Sequence, residues 1–188
     1  YGLLGEVASD ATFDRVTGLA VRLFQVPLAI ICFVGQDRKQ IISRAGTDPG
    51  SVESEVGFCG LTVDTDSPVV LTDPAHTAVT LGIMLPPDFP FPIGFYVGVP
   101  LRLPNGLAVG TLSLIDQHTR VFSETDLASL IDLALVASDH LALKIVTQSL
   151  SRTEEILKQH SRVLVQLSSR EAAHRGELTA ELQAITEV

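Results

Sequence analysis

The chain has 188 residues, 46% of them hydrophobic, with a net charge of -9 and a pI near 4.9, which is enough apolar material for one well-filled core plus an appendage. So acidic a balance offers no basic face to neutralise phosphates or to dock on anionic lipid, and it argues against nucleic acid and membrane surfaces as partners. Two cysteines are too few for a disulfide-stapled scaffold, no apolar run nears the roughly 20 residues of a bilayer span, and Tyr1-Gly2-Leu3-Leu4 carries no basic region or cleavage signal, so a cytoplasmic location is expected.

Near the start, Phe13, Val16, Ala20, Leu23 and Phe24 recur at helical spacing behind Asp10 and Thr12, either of which can cap, and Pro27 ends the run. This predicts an amphipathic helix with one buried face. Leu28 to Val34 is unbroken apolar, the pattern of a strand covered on both faces and lying in the middle of a sheet. Gly35 to Arg38 reads as a turn into a second strand, Gln40 to Ala45, with Ile42 and Arg44 on one face and Ile41 and Ser43 on the other. After a polar loop through Asp48-Pro49-Gly50, a short helix is expected around Gly57 to Val63 and a brief strand at Val69 to Leu71. Five of the ten prolines (Pro74, Pro86, Pro87, Pro90 and Pro92) fall between Asp73 and Gly94, so any regular structure there is short. Loops of that length are commonly lids or binding segments, a passive surface excursion being the alternative.

Phe95 to Leu103 and Leu107 to Ile115 read as two strands joined by Pro104-Asn105-Gly106, a tight hairpin in which Asn-Gly suits positive φ. Gly98 and Gly110 interrupt them, marking a bulge, close packing or the approach of another group. Ser123-Glu124-Thr125-Asp126 resembles a capping box and opens a helix that no proline interrupts. Leu127, Leu130, Ile131, Leu133, Ala134, Val136 and Ala137 give it a broad apolar face. Beyond that, Leu143, Leu150, Leu157, Leu164, Leu178 and Ile185 share one heptad position, broken by Glu171. The partner positions are Val146, Thr153, His160, Leu167, His174, Glu181 and Val188, several of them polar. That seam fits either a solvated helix or a marginal parallel dimer whose register can change. In the dimer His160 and His174 would each face a twin, so that protonation would weaken the seam.

The division expected is a globular domain over residues 1–143 and a coiled-coil helix over 144–188, leading to an output domain outside the sequence. Residues 144–188 hold six acidic and six basic side chains, so the net acidity belongs to the globular part. Lacking an initiator Met, the chain reads as an excised fragment or as one trimmed by a few residues. The five histidines show no clustered spacing, and no Cys-x-x-Cys, phosphate-binding loop, dinucleotide glycine pattern or serine nucleophile elbow occurs. Neither a metal site nor a catalytic residue is expected, and the protein reads as a non-enzyme. Cys59, between glycines at a helix start, is either a thiol made reactive by amide dipoles or a plain pocket-lining residue. Cys32 reads as core.

The order of elements, together with Gln25-Val26-Pro27-Leu28-Ala29, Gly57-Phe58-Cys59-Gly60, Phe95-Tyr96-Val97-Gly98-Val99-Pro100-Leu101 and Gly110-Thr111-Leu112-Ser113-Leu114-Ile115-Asp116, resembles the GAF family of small-molecule sensor domains over roughly residues 8–145. The resemblance implies an α+β (α/β sandwich) fold. Its antiparallel sheet carries the terminal helices on one face and, on the other, a ligand pocket closed by the helix near Phe58 and the loop after Asp73. Phe58, Cys59, Asp73, His76, Phe95 and Tyr96 would then lie near the ligand. It also implies a homodimer through the C-terminal helix, with Leu143, Leu150, Leu157, His160, Leu164, Leu167, His174 and Leu178 along the seam. The function implied is a bacterial signal-transduction sensor upstream of an output such as a histidine kinase or a diguanylate cyclase, as in two-component or cyclic di-GMP signalling.

Departures from subgroups narrow the cofactor. Cys59 is followed by Gly60 where covalent bilin binders have His, no Asn-Lys-x-Phe-type cyclic-nucleotide signature is present, and His76 is the one residue placed as haem-binding members place theirs. The small molecule is thus unidentified, with neither bilin nor haem expected. Two rival readings are a ligand-free dimerising spacer and a free methionine sulfoxide reductase, whose chemistry would require Cys32 to resolve Cys59.

Overall fold

The computed structural model describes residues 10–35, 39–47, 57–83 and 92–186, with backbone alone at 39, 172–174 and 177–186. In chain order the elements are α1 (Ala11–Phe24), β1 (Leu28–Val34), β2 (Lys39–Gly46), α2 (Phe58–Thr65), β3 (Val69–Leu71), α3 (Pro74–Leu81), β4 (Phe95–Arg102), β5 (Ala108–Asp116) and α4 (Glu124–Thr186). The strands form one sheet in the order β2-β1-β5-β4-β3, every neighbouring pair antiparallel. This is the expected α+β architecture. The central strand is β5, with β1 beside it rather than at the centre. The chain divides into two units, Tyr1–Ile145 and Val146–Val188. The polar loop through Asp48-Pro49-Gly50 and the apolar residues of 84–91 lie outside the described residues, as does most of the turn before β2.

Alternation along the strands sorts two apolar layers. On one face Ala29, Ile31, Phe33, Phe95, Val97, Val99, Leu101, Leu112 and Leu114 pack against Phe13, Val16, Ala20 and Phe24 of α1 and Leu130, Ala134, Ala137 and Leu141 of α4. On the other, Leu28, Ile30, Cys32, Tyr96 and Ile115 meet Phe58 and Cys59 of α2 and Ala78 of α3. The α4 residues repeat at steps of four and three, the stripe of a straight helix on a sheet. Val136 and Leu23, expected within the buried faces, are about half exposed. At 100° per residue Val136 lies about 120° from that stripe, and Leu23 falls on the edge of its own.

A bulge at Ile42 breaks the alternation expected for β2. Ile31 pairs with Ser43 and Cys32 with Ile41, so Ile42 is the extra residue. Ile42 and Ser43 therefore both turn toward α1, where Ser43 Oγ donates to Asp14 (2.6 Å) and lies 2.9 Å from Thr17 Oγ1, while Ile41 joins the opposite layer. The β4–β5 loop also differs from the simplest reading. Leu103 O accepts from Gly106 N at 2.8 Å, Leu103 N donates to Leu107 O at 3.0 Å, and positive φ falls on Gly106 alone, at 83°. This is a three-residue loop, a turn followed by one left-handed residue.

Polar clamps fix the helices. Asp10 caps α1 through Thr12 N (2.7 Å) and reaches across to Lys144 Nζ (2.6 Å) and His140 Nε2 (3.1 Å) of α4. Those contacts, the Lys144 bond foremost, hold its carboxyl well below the usual carboxylate range. Ser123 and Asp126 complete the expected box, Asp126 N donating to Ser123 Oγ (3.1 Å) and Ser123 N to Asp126 Oδ2 (3.1 Å). Asp116, buried at the end of β5, accepts from His118 N (2.9 Å) and from Arg120 Nε. Arg120 also donates to the carbonyls of Phe24 (3.0 Å) and Gln25 at the end of α1. Burial acts to raise the Asp116 pKa, but the His118 amide and the Arg120 guanidinium outweigh it and hold the group below its ordinary 3.8.

Asp116→Asn tests this clamp. Because Asp116 titrates lower in the folded chain, its contribution is complete above the ordinary value and fades as pH falls through the folded one. Urea unfolding at neutral pH should show a loss of about 3–5 kcal/mol, and the gap between variant and parent should narrow as pH falls below about 4. A gap that is constant with pH would contradict the assignment.

Candidate functional site

The layer between the sheet and α2 contains a line of polar groups within apolar surroundings. On β5, Thr111 and Ser113 point the opposite way from Leu112 and Leu114 by strand alternation, and all four are buried. Tyr96 of β4 is fully buried, its ring 5.0 Å from that of Phe58. Its hydroxyl lies 3.0 Å from Thr62 Oγ1 and 3.1 Å from Ser113 Oγ, which is 3.1 Å from Thr111 Oγ1 and 3.9 Å from Cys59 Sγ.

Each hydroxyl carries one proton, which sets the direction of the chain. Thr62 Oγ1 donates to the carbonyl of Phe58 (3.0 Å). Tyr96 therefore donates to Thr62 and accepts from Ser113, which in turn accepts from Thr111. The chain ties the central strand to the backbone of α2. Burial foremost, and next the charge that a Cys59 thiolate would carry, push the Tyr96 pKa well above its ordinary 10.0, against the hydrogen bonds to Ser113 and Thr62. Tyr96 is thus a neutral donor at physiological pH.

Gly98 makes this arrangement possible. A Cβ there would stand 2.3 Å from the Tyr96 hydroxyl oxygen and 2.6 Å from Thr62 Oγ1, so the tyrosine lies along its own strand over a position that bears no side chain. At Gly110 the close neighbour is instead the backbone of β1, with the Cys32 carbonyl oxygen 2.4 Å from a would-be Cβ.

Of the six residues expected near a ligand, Phe58, Cys59 and Tyr96 are brought together. Phe95 is not: adjacent strand residues face opposite sides, and its ring sits 5.6 Å from Phe122 on the helix face. Asp73 is exposed and caps α3, accepting from His76 N at 3.1 Å, and His76 is exposed on that helix. Thr62, Thr111 and Ser113 were not anticipated, although two hydroxyl residues alternating with leucines on β5 are a readable signal. Leu143, Leu150, Leu157, His160, Leu164 and Leu167 are exposed along α4. The helix also includes His174 and Leu178, whose side chains lie outside the described residues. Among the described residues there is no group of three His, Cys, Asp or Glu able to hold a metal ion, and no helix long and apolar enough to cross a membrane.

Over 138 residues the chain is 29% identical to a cyclic di-GMP phosphodiesterase of Pseudomonas aeruginosa, aligning 69% of this chain with 22% of that protein. The chain thus spans about a fifth of the length of the curated relative it matches. No family model matches it. Among solved structures it superposes on the GAF domain of an Acinetobacter phosphoenolpyruvate-protein phosphotransferase with a TM-score of 0.55 and 16% identity, covering 81% of this chain and 93% of that one. For the PixJ GAF domain of Thermosynechococcus elongatus in its blue-light absorbing form the values are 0.57, 13%, 77% and 92%. The chain has the GAF-domain fold. The same GAF fold is seen in a type II free methionine-R-sulfoxide reductase of Thermoplasma acidophilum, with TM-score 0.56, 18% identity and coverage of 72% and 90%.

In this GAF fold α2 rests on the sheet through the hydroxyl chain, and two substitutions probe it. Tyr96→Phe removes the central donor and strands Thr62 and Ser113, which should cost about 1–3 kcal/mol and speed amide exchange in Phe58–Thr65 while leaving α1 unchanged. Gly98→Val should cost at least as much by forcing the Tyr96 ring from its position. Exchange in α2 that is the same in all three proteins would refute the role given to Tyr96.

Proposed function

We propose that this GAF-fold domain is the small-molecule-sensing, non-catalytic regulatory part of a cytoplasmic bacterial signal-transduction protein. It passes its state through a parallel coiled-coil helix to an output domain such as a histidine kinase or a cyclic di-GMP enzyme. The observation that carries this reading is α4. One uninterrupted helix, Glu124–Thr186, contributes Leu130, Ala134, Ala137 and Leu141 to the core and then exposes Leu143, Leu150, Leu157 and Leu164 at seven-residue intervals. Exposed leucines at that interval ask for a partner helix, and an element shared by core and seam is physically able to carry a rearrangement from one to the other.

The partial match to a cyclic di-GMP phosphodiesterase supports a place in cyclic di-GMP signalling, with this domain regulating an output of that class. For a ligand to act, it must favour one helix arrangement over the other by a few kcal/mol. The layer around Phe58, Cys59 and Tyr96, on the sheet face away from α1 and α4, is where the domain would bind it.

A second reading, a ligand-free dimerising spacer, is favoured by the complete burial of Tyr96 and Phe58 in that layer. The third, a free methionine sulfoxide reductase, draws on the fold that the chain shares with such enzymes.

Four measurements separate these readings, the fourth an assay for turnover of free methionine sulfoxide. Sedimentation should give a dimer that Leu150→Lys with Leu157→Lys converts to monomer, weakening association by at least about tenfold. A spin label at one site on α4 should give a single short distance for a parallel pair and a long one for an antiparallel pair. Native mass spectrometry of protein purified from cells should reveal a bound small molecule that denaturation releases. A ligand-free dimer points to the spacer, turnover of free methionine sulfoxide to the reductase, and a persistent monomer excludes the proposed signalling route.

A further inference from the structure

α1 and α4 lie side by side over the sheet, and the groove between them is apolar where it meets solvent. Asp14 and Thr17 mark the flank of α1 that meets Ser43 of β2, and Ser138, which accepts from Arg102 N at 3.0 Å, marks the flank of α4 toward β4. Leu19 and Leu23 project from the opposite flank of α1, and Val136 and Leu143 from the opposite flank of α4, so the four line one groove, each between 43% and 64% exposed. The outward faces beside this strip carry charge of opposite sign. Arg15 and Arg22 stand on α1, Asp132 and Asp139 on α4; all four are exposed, and among the described residues none of them enters an ion pair. Asp10 meets Lys144 at 2.6 Å near one end and Phe24 meets Phe122 at the other, which sets the antiparallel helices level. Arg15 is five residues along α1 from Asp10 and Asp139 is five back along α4 from Lys144; twelve residues bring Arg22 and Asp132 level in the same way, with Leu19 beside Val136 between them.

We infer that this face is the contact between two copies of the globular domain, α1 of each lying on α4 of the other about a two-fold axis parallel to the helices. The inference rests on the α4 dimer proposed above and extends it to residues inside the domain. An axis along the helices keeps every residue at its own level. Arg15 and Arg22 then meet Asp139 and Asp132 of the partner subunit, while Leu19 meets the partner's Val136. An axis across the helices reverses the levels, and sets Arg15 against the partner's Arg22 and Asp132 against the partner's Asp139. Like charges so opposed reject that arrangement, and charge selects the parallel one. Val136 also stands seven residues before Leu143, on the heptad position of the α4 leucines, so the apolar strip of the domain pairs in the same register as the seam.

The test uses the full chain. Arg15→Glu with Arg22→Glu, and separately Asp132→Lys with Asp139→Lys, should each weaken self-association at least about tenfold in sedimentation. An equimolar mixture of the two variants should dimerise as tightly as the parent, because in the mixed pair every contact again joins opposite charges. Arg15→Lys with Arg22→Lys keeps the charge and supplies amines. In an equilibrated mixture of isotopically light and heavy protein of that variant, carbodiimide should couple positions 15 and 22 to Asp139 and Asp132 in peptides that join light to heavy. A monomeric parent overturns both this inference and the α4 dimer. A dimer that Leu150→Lys with Leu157→Lys disrupts, but that neither charge reversal weakens, leaves the α4 dimer standing and overturns the contact between domains. Weakened variants that do not recover on mixing, or coupling found only within light or within heavy protein, overturn it as well. The coupling experiment preserves every charge and decides the matter even if a reversed chain does not fold.

Discussion

The fold depends on the β4–β5 hairpin being dry on both faces. A strand with one wet face can tolerate a mixed surface there, but one enclosed on both sides must find a packing or hydrogen-bonding partner for every side chain. β5 meets the demand by parity. Leu112 and Leu114 go to the layer under α1 and α4, and Thr111 and Ser113 go to the layer under α2. Once that sorting is set, the sheet must be covered twice, and the remaining elements are arranged as the two covers.

The two covers are not equivalent. The α1/α4 side is a conventional apolar core with aromatic rings at Phe13, Phe33, Phe95 and Phe122. The α2 side mixes apolar side chains with a directed run of hydroxyls, and direction matters physically. Apolar contacts tolerate sliding, whereas a sequence of single-proton donors is satisfied in one arrangement and leaves buried groups unpaired in any other. The helix nearest the proposed ligand site is therefore the one whose position is most sharply specified, and any molecule that reorders those hydroxyls also repositions α2.

Much of this was readable from the chain. Buried strands, the glycine-bearing hairpin, the Ser123 cap and the order of elements follow from local pattern, because each is set by neighbours in sequence. What escaped was set by neighbours in space. The bulge at Ile42 depends on how β2 meets β1, the outward turn of Val136 depends on where α4 lands, and the Arg120 bonds to Phe24 and Gln25 join residues about ninety-five positions apart. For the site, the family phrase containing Phe95-Tyr96 drew attention to both aromatics, although alternation permits only one of them to face α2. Asp73, which the resemblance puts near a ligand, stands in an Asp-Pro pair at a helix start, a local pattern that reads as a cap followed by proline in the first turn.

α1 and α4 run antiparallel, joined to each other at one end, while at the other the end of α1 is held to the segment that leads from β5 into α4. Asp10 grips Lys144 and His140 at one end, and Arg120 grips the last carbonyls of α1 at the other. Mechanically, α1 is a splint along the first twenty residues of α4. Sliding the long helix along its axis would break the Asp10 contacts and pull on the short segment that Arg120 anchors, whereas a small roll about that axis or a tilt hinged on its first turn would strain the Asp10 contacts alone. Of the ways a helix can move, the splint leaves roll and tilt as the least costly.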